Sequence, residues 1–232
     1  MSSFSSLKDQ LEEMHLQDTA GAFTSWQEQG IAHGFLGLGE SIPSFDHCKQ
    51  VHGTSIVEHS AETSGTVSSR IEADGLYSRQ KDLPIAVQTA DCVPVLFHSS
   101  DLVMAVHAGW KGLRSGILQE AIGSFKDKEY QVGIGPHISQ ASFEVGPEVM
   151  LEFENSAQGW SDLQLAHISN KGVDDRWHLD LGLAAAFNLM NLGVKPQQIT
   201  LMKTCTKLEN EFWHSYRRDA LDAGRNWSWI SL

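Results

Sequence analysis

The sequence predicts an α+β domain, a single layered unit in which mixed β-sheets are flanked by helices. Three observations carry that prediction. From Val51 onward, short β-favouring runs alternate with turns; stretches of helical period lie among them; and the two kinds follow one another without a regular βαβ repeat. The chain's 232 residues suffice for a sizeable core, and 41% apolar residues with 20 glycines are ordinary for a globular protein. No internal repeat or Pro/Ser-rich linker divides it, so residues 1–232 read as one domain.

Taken in order, residues 5–17 predict a helix, with Leu7, Leu11 and Met14 along one face and charges opposite. Residues 30–39 are glycine-rich and predict a turn and a short strand. Strands are expected over 56–58, 75–77, 85–88, 93–98 and 102–106, where β-favouring residues run between turns. Residues 113–125 read as one amphipathic helix after the turn Gly109-Trp110-Lys111-Gly112. A strand over 131–134 runs into Gly135-Pro136. Helices follow over 148–153 and 179–192, the second stopped by Gly193 with Pro196 beyond it. Strands over 199–203 and 227–230 complete the prediction.

A net charge of −12 argues against a general nucleic-acid binder, which needs a clustered positive surface, but is compatible with a local pocket for a small anion. No run approaches the roughly 18 apolar residues of a membrane span, and the polar N-terminus lacks the features of a signal peptide. The expected location is the cytoplasm, with no membrane partner. Cys48, Cys92 and Cys205 are odd in number and form no Cys-x-x-Cys pair, so they do not make a disulfide framework.

Three segments concentrate chemistry. Gln50-Val51-His52-Gly53 offers an imidazole at a tight turn, Thr89-Ala90-Asp91-Cys92-Val93-Pro94 a thiol at a strand end, and His107 opens a small-residue turn into a helix. His52, Cys92 and His107 together suit a zinc ion. Three protein ligands leave a coordination position for water or substrate, the mark of a catalytic site. A carboxylate next to Cys92 would raise its pKa, so a divalent cation is expected to supply the charge that makes the thiolate. Asp91 is a candidate catalytic residue, as proton shuttle or, by preference, as hydrogen-bond partner of a histidine ligand.

Lys111 at the expected helix start and Arg217 in Ser215-Tyr216-Arg217-Arg218-Asp219 are candidate phosphate-binding groups. Arg218 reads as the ion-pair partner of Asp219, Trp110 as a core residue and Cys205 as a packing residue. Gly133-Ile134-Gly135-Pro136 and Phe143-Glu144-Val145-Gly146 form a shaped loop without the spacing of a dinucleotide or Walker fingerprint. Cys48, His15, His47, His59, His98 and His167 have no supporting context.

In this order, Gln-Val-His-Gly, Thr-Ala-Asp-Cys-x-Pro and His-Ala-Gly-Trp-Lys-Gly resemble the YfiH-type laccase-domain proteins, also called multicopper polyphenol oxidases and described as zinc-dependent purine nucleoside enzymes. The resemblance covers about residues 30–232 and implies a fold similar to that of cysteine hydrolases. It implies His52, Cys92 and His107 as zinc ligands, and phosphorolysis of adenosine, inosine, guanosine and 5′-methylthioadenosine, with adenosine deamination as a further activity. Small-molecule nucleosides and phosphate are the implied partners. One departure stands out. His33-Gly34-Phe35 is followed by Leu36-Gly37-Leu38-Gly39-Glu40 where the family has Thr-Arg and a Gly-Gly-Val-Ser stretch, so the N-terminal region 1–48 is shortened and an arginine is missing.

Two alternatives are carried. Copper-dependent phenol oxidation matches the two histidines and one cysteine of a type-1 site, but the chain has no His-x-His pair for a larger cluster. A metal-free thiol hydrolase would use Cys92 as nucleophile and His107 as base on an amide or ester, including a peptidoglycan precursor.

Overall fold

A computed structural model describes residues 6–18, 21–62, 70–125 and 129–232. Along the chain lie α1 (Leu7–Glu13), β1 (His15–Gln17), α2 (Thr24–Glu28), β2 (Ala32–Leu36), β3 (Ile56–Glu58), β4 (Gly75–Ser78), β5 (Ile85–Thr89), β6 (Val93–Ser99) and β7 (Val103–Ala108). There follow α3 (Trp110–Ser115), α4 (Ile117–Gly123), β8 (Tyr130–Ile134), β9 (Glu144–Val145), α5 (Pro147–Glu154) and α6 (Asp162–Ile168). The last elements are β10 (Ser169–Lys171), β11 (Trp177–Leu179), α7 (Leu181–Asn191), β12 (Ile199–Met202), α8 (Tyr216–Asp219) and β13 (Asn226–Ser231).

The mixed-sheet α+β prediction matches the architecture. A seven-stranded sheet in the order β1-β12-β8-β6-β7-β4-β3 mixes parallel and antiparallel pairs, and β2-β13-β5 form a smaller antiparallel sheet. The period-2 alternation of side chains sorts the central strands between two cores. Val93, Val95, Phe97, Met104, Val106 and Ala108 face the helices, while Leu96, Val103 and Ala105 face the small sheet with Ile85, Val87 and Ile230. Burial on both faces explains why β6 and β7 are continuous apolar runs. No helix among the described residues is long and apolar enough to cross a membrane.

Gly133 in β8 marks how closely the second core is packed. A Cβ there would lie 2.1 Å from Cε2 of Phe23, a fully buried ring wedged edge-on between Trp26 and Phe35. Gly133→Ala is expected to cost about 1–3 kcal/mol by overpacking. Urea unfolding measures this, and an unchanged midpoint would mean that Phe23 moves aside freely.

Three helix predictions need correction. The predicted start at Ser5 lies outside the described residues. From Leu7 the helix runs only to Glu13, begun by a capping box between Ser6 and Asp9. Residues 15–17 form β1, parallel to β12, because pairing with a neighbouring strand outweighs a marginal helical preference. The single helix expected over 113–125 is two, α3 starting at Trp110 and α4 starting after Gly116, whose φ of 96° interrupts the helix between them. The helix expected from Leu179 begins at Leu181, because the Asp180 side chain caps it and Leu179 belongs to β11. Short α2, α6, α8, β9, β10 and β11 were not anticipated from the sequence pattern.

Candidate metal centre and substrate cavity

Strand register assembles the site. Val93 stands opposite Ala108 and Pro94 opposite His107, so Cys92, one residue before β6, lies at the end of β7. Gly75 stands opposite Val106, which puts Asp74 beside His107, whose backbone N–H donates to the Asp74 carbonyl at 2.7 Å. His107 lies inside β7, which runs two residues beyond the predicted strand end at Val106.

The Asp74 carboxylate fastens the site together. Its Oδ1 accepts from His107 Nδ1 at 2.8 Å and from the His52 N–H at 2.9 Å, and its Oδ2 accepts from the N–H groups of Gly53 at 2.6 Å and Val51 at 3.3 Å. These bonds hold His52 in a left-handed conformation, φ 61°, that a non-glycine residue adopts only when its surroundings fix it. Asp74 is fully buried. Burial alone would raise its pKa, but the bonds from His107, Gly53 and His52 hold it below the usual carboxylate value. A carboxylate on Nδ1 fixes the His107 tautomer and leaves Nε2 for a metal.

The ligand atoms of His52, Cys92 and His107 lie within 4.8 Å of one another, with Cys92 Sγ 3.9 Å from His52 Nε2. Tetrahedral zinc ligands at ordinary bond lengths are about 3.4–3.6 Å apart. The donor set therefore fits one ion of soft-to-borderline character, supported by Asp74 and open at a fourth position. A Cβ at Gly109 would stand 3.1 Å from both Cys92 Sγ and His52 Cδ2, so glycine at this helix start lets the two ligands approach.

Cys92 differs from the expectation that an acidic neighbour would hold its thiol protonated. Burial pushes its pKa up, yet hydrogen bonds to His107 and His52 prevail and bring it down to about 6 from the ordinary 9.0. His107 moves oppositely: burial lowers its pKa, but Asp74 and Cys92 carry it to about 9. Since the thiolate is the reactive form, alkylation of Cys92 in metal-stripped protein is expected to rise through pH 6. A midpoint above 8 in an iodoacetamide rate profile would show that the imidazoles do not act on the thiol.

The preferred role of Asp91, partner to a histidine ligand, belongs to Asp74. Asp91 accepts instead from Thr206 Oγ1 at 2.7 Å and from the Arg217 N–H at 2.6 Å, tying the residue before Cys92 to the start of α8. The sequence had not marked Asp74, because its partners come from a different strand and a separate turn. The available signal was an acidic residue directly before a predicted strand of otherwise apolar residues.

A cavity of about 650 Å³ opens over the three ligands. Lys111 and Arg217, the candidate phosphate-binding groups, both line it. Arg217 lies 5.1 Å from the ring centroid of Phe143 and donates from Nη1 to the Glu144 carbonyl at 2.8 Å. Trp110, expected in the core, packs against it with part of the ring and also lines the cavity. Arg218 pairs with Asp219 at 2.7 Å as expected and donates to the carbonyls of Thr206, Lys207 and Trp213. Cys205 is buried, its sulfur accepting from Ser139. Phe143, Tyr216, His47 and Gln88 also line the cavity. His47 and Gln88 gave no signal, because their positions depend on how the small sheet is covered.

The family model for multi-copper polyphenol oxidoreductase laccase matches residues 32–232. Among similar proteins, "Purine nucleoside phosphorylase YfiH" of Shigella flexneri is 38% identical over 188 residues, covering 79% of this chain and 72% of that protein. "Purine nucleoside phosphorylase YlmD" of Bacillus subtilis strain 168 is 33% identical over 168 residues, covering 68% of this chain and 58% of that protein. Among solved structures, the hypothetical protein YfiH of Bacillus licheniformis superimposes with a TM-score of 0.74 at 27% identity, over 81% of this chain and 74% of that one. YlmD from Geobacillus stearothermophilus gives 0.73, also at 27% identity, over 81% and 73%.

Proposed function

The chain belongs to the multi-copper polyphenol oxidoreductase laccase family, and on that premise we propose that it is a zinc-dependent purine nucleoside phosphorylase. The proposed substrates are adenosine, inosine, guanosine and 5′-methylthioadenosine, with adenosine deamination as a second activity and the cytoplasm as its location. The observation that carries the reading is the open His52–Cys92–His107 donor set beneath a cavity that is also lined by cationic side chains, Lys111 and Arg217 among them, in a chain of net charge −12.

His52, Cys92 and His107 would hold the zinc, which when bound supplies a Lewis acid. Phosphorolysis forms a bond from a phosphate oxygen to the ribose anomeric carbon and breaks the bond to the base nitrogen. Arg217, with Nη1 anchored on the Glu144 carbonyl and its guanidinium carbon over the Phe143 ring, offers its remaining N–H groups to a phosphate oxygen. Lys111, 5.7 Å from the Trp110 ring centroid, adds a second positive charge. Asp91 acts by position: accepting from the Arg217 N–H and preceding Cys92, it fixes the distance between anion site and thiolate.

Chromatography of adenosine, inosine and methylthioadenosine with and without phosphate tests the reading. Base release that requires phosphate supports it; inosine formed from adenosine supports the second activity; no product from any of the three overturns it. Metal analysis of protein purified without added metal separates zinc from copper.

A second reading is favoured by one observation, the ordered chain Asp74–His107–Cys92, in which a carboxylate orients an imidazole beside a low-pKa thiol. Without metal this is the arrangement of a thiol hydrolase acting on an amide or ester, including a peptidoglycan precursor. Full activity after removal of zinc by a chelator would favour it over the phosphorylase.

A further inference from the structure

We propose that Gln88 reads the purine base, its side-chain amide hydrogen-bonding the edge that carries the 6-substituent. The assignment rests on the purine nucleoside reading above and adds to it how the base is chosen.

The placement of Gln88 follows from β5 being the last strand of the small sheet: β13 pairs along one side, while on the other only Asp46 bridges Ile85, its carbonyl accepting from the Ala86 N–H at 3.0 Å. The backbone of Gln88 is satisfied on its open side by a single side chain. Gln50 Nε2 donates to the Gln88 carbonyl at 2.6 Å, and Gln50 Oε1 accepts from the Gln88 N–H at 2.8 Å. Gln50 thus stands in for a missing neighbour strand, and both ends of its amide are occupied. Its separation of two residues from His52 ties this edge to the metal centre.

The side chain of Gln88 has the opposite status. Ile85, Val87 and Thr89 are buried in the alternation of β5, with Ile85 and Val87 in the core beneath the small sheet. Gln88, one step out of phase, is half-buried and lines the cavity. Among the described residues its amide has no hydrogen-bond partner. Neighbouring polar groups of the same wall are engaged: Lys49 with Glu72 at 2.8 Å, Arg225 with the carbonyls of Ala223 and Gly224, and His47 Nδ1 with the Phe45 carbonyl at 3.1 Å. His47 also provides a flat ring next to this position, standing edge-on to Trp227, the residue opposite Gln88 in the ladder.

Chemistry then selects the ligand edge. Lys111 and Arg217 only donate and suit an anion, whereas an amide donates and accepts side by side. Adenine presents an amino donor at C6 beside the N1 acceptor; hypoxanthine and guanine present a carbonyl acceptor at C6 beside the N1–H donor. Rotation of the amide by half a turn matches either pattern. Gln88 therefore accounts for a site that takes 6-amino and 6-oxo purines alike and discriminates against a base with neither substituent.

The test compares phosphate-dependent base release from inosine, adenosine and purine riboside, which carries only hydrogen at C6, by the unsubstituted protein and by Gln88→Met. The expected kcat/KM of the unsubstituted protein favours both inosine and adenosine over purine riboside by about tenfold or more, because a site built to hydrogen-bond a group rejects the analogue lacking it. In Gln88→Met both advantages are expected to fall to within about threefold of unity, at about the cost of one or two hydrogen bonds. Zinc content and thermal midpoint should stay as they were, since the amide bonds no protein group. A Gln88→Met enzyme that keeps the original ratios overturns the assignment alone. Absence of base release from all three nucleosides by the unsubstituted protein overturns the purine reading, and the assignment with it.

Discussion

Asp74→Ala is expected to lose about 3–5 kcal/mol of stability and most of the metal affinity in one step, because it removes one partner of a buried ion pair. Among the described residues no other side chain accepts these bonds: the N–H groups of Val51, His52 and Gly53 and Nδ1 of His107 all donate to this carboxylate. Without it, the left-handed turn at His52 loses its restraint and His107 loses the acceptor that sets its tautomer. Asp74→Asn separates the two effects. One amide oxygen replaces two carboxylate oxygens, so some N–H groups face another donor, at about 1–3 kcal/mol. Zinc affinity should fall about 10–100-fold, the usual cost of losing a ligand's supporting partner. Urea unfolding and zinc competition against a chromogenic chelator measure the two quantities.

The pH dependence gives an independent check. The folded pKa of Asp74 is depressed, so its contribution is complete above the ordinary carboxylate value of 3.8 and disappears as pH falls through the lower folded value. The stability difference between metal-free wild type and Asp74→Ala should therefore be level between pH 3.8 and 6.5, shrink on acidification below 3.8, and shrink again as pH rises from 6.5 through about 9, where His107 loses the proton that pairs with Asp74. A difference that grows toward low pH would mean that the carboxylate is protonated in the folded protein.

Cys92→Ala is the second large effect. It removes the only sulfur of the donor set, and with it the Lewis acid that the site would hold, worth several kcal/mol of transition-state stabilisation. At 1.36 kcal/mol per tenfold, phosphorolysis should drop by about a thousandfold. Zinc content of the purified variant should fall to background, while its unfolding midpoint should change little when both proteins are compared metal-free below pH 6, where the thiol is uncharged and only half-buried at a turn. Cys205→Ala is the control. Its sulfur accepts from Ser139, outside the donor set, so zinc should be retained. A Cys92→Ala enzyme that keeps zinc and activity would remove this thiol from the mechanism.

The strands were legible wherever the local pattern and the tertiary environment agree. β5, β6 and β7 are short apolar runs between turns, and their burial in the sheet is what such runs require. Legibility failed where a contact from elsewhere outweighs local preference. Residues 15–17 continue a helical pattern yet extend to pair with β12. Gly116 permits helix in the sequence, but its left-handed backbone divides α3 from α4.

The candidate metal group was legible because His52, Cys92 and His107, which the fold brings within 4.8 Å, each sit in a short segment of turn-forming residues, and the candidates Lys111 and Arg217 stand out because cations are scarce in so acidic a chain. What holds and shapes the site was not. Asp74 became its support only through the register of β4 against β7, Asp91 exchanged a histidine for Thr206 and Arg217, and Gln50 took the open edge of β5 so that Gln88 was left free. Residue type by itself determined which groups can bind a metal or an anion, because that capacity belongs to the side chain. Which carboxylate meets which imidazole was decided by tertiary structure alone, because a hydrogen bond acts over about 3 Å, and only strand register brings residues distant in sequence that close.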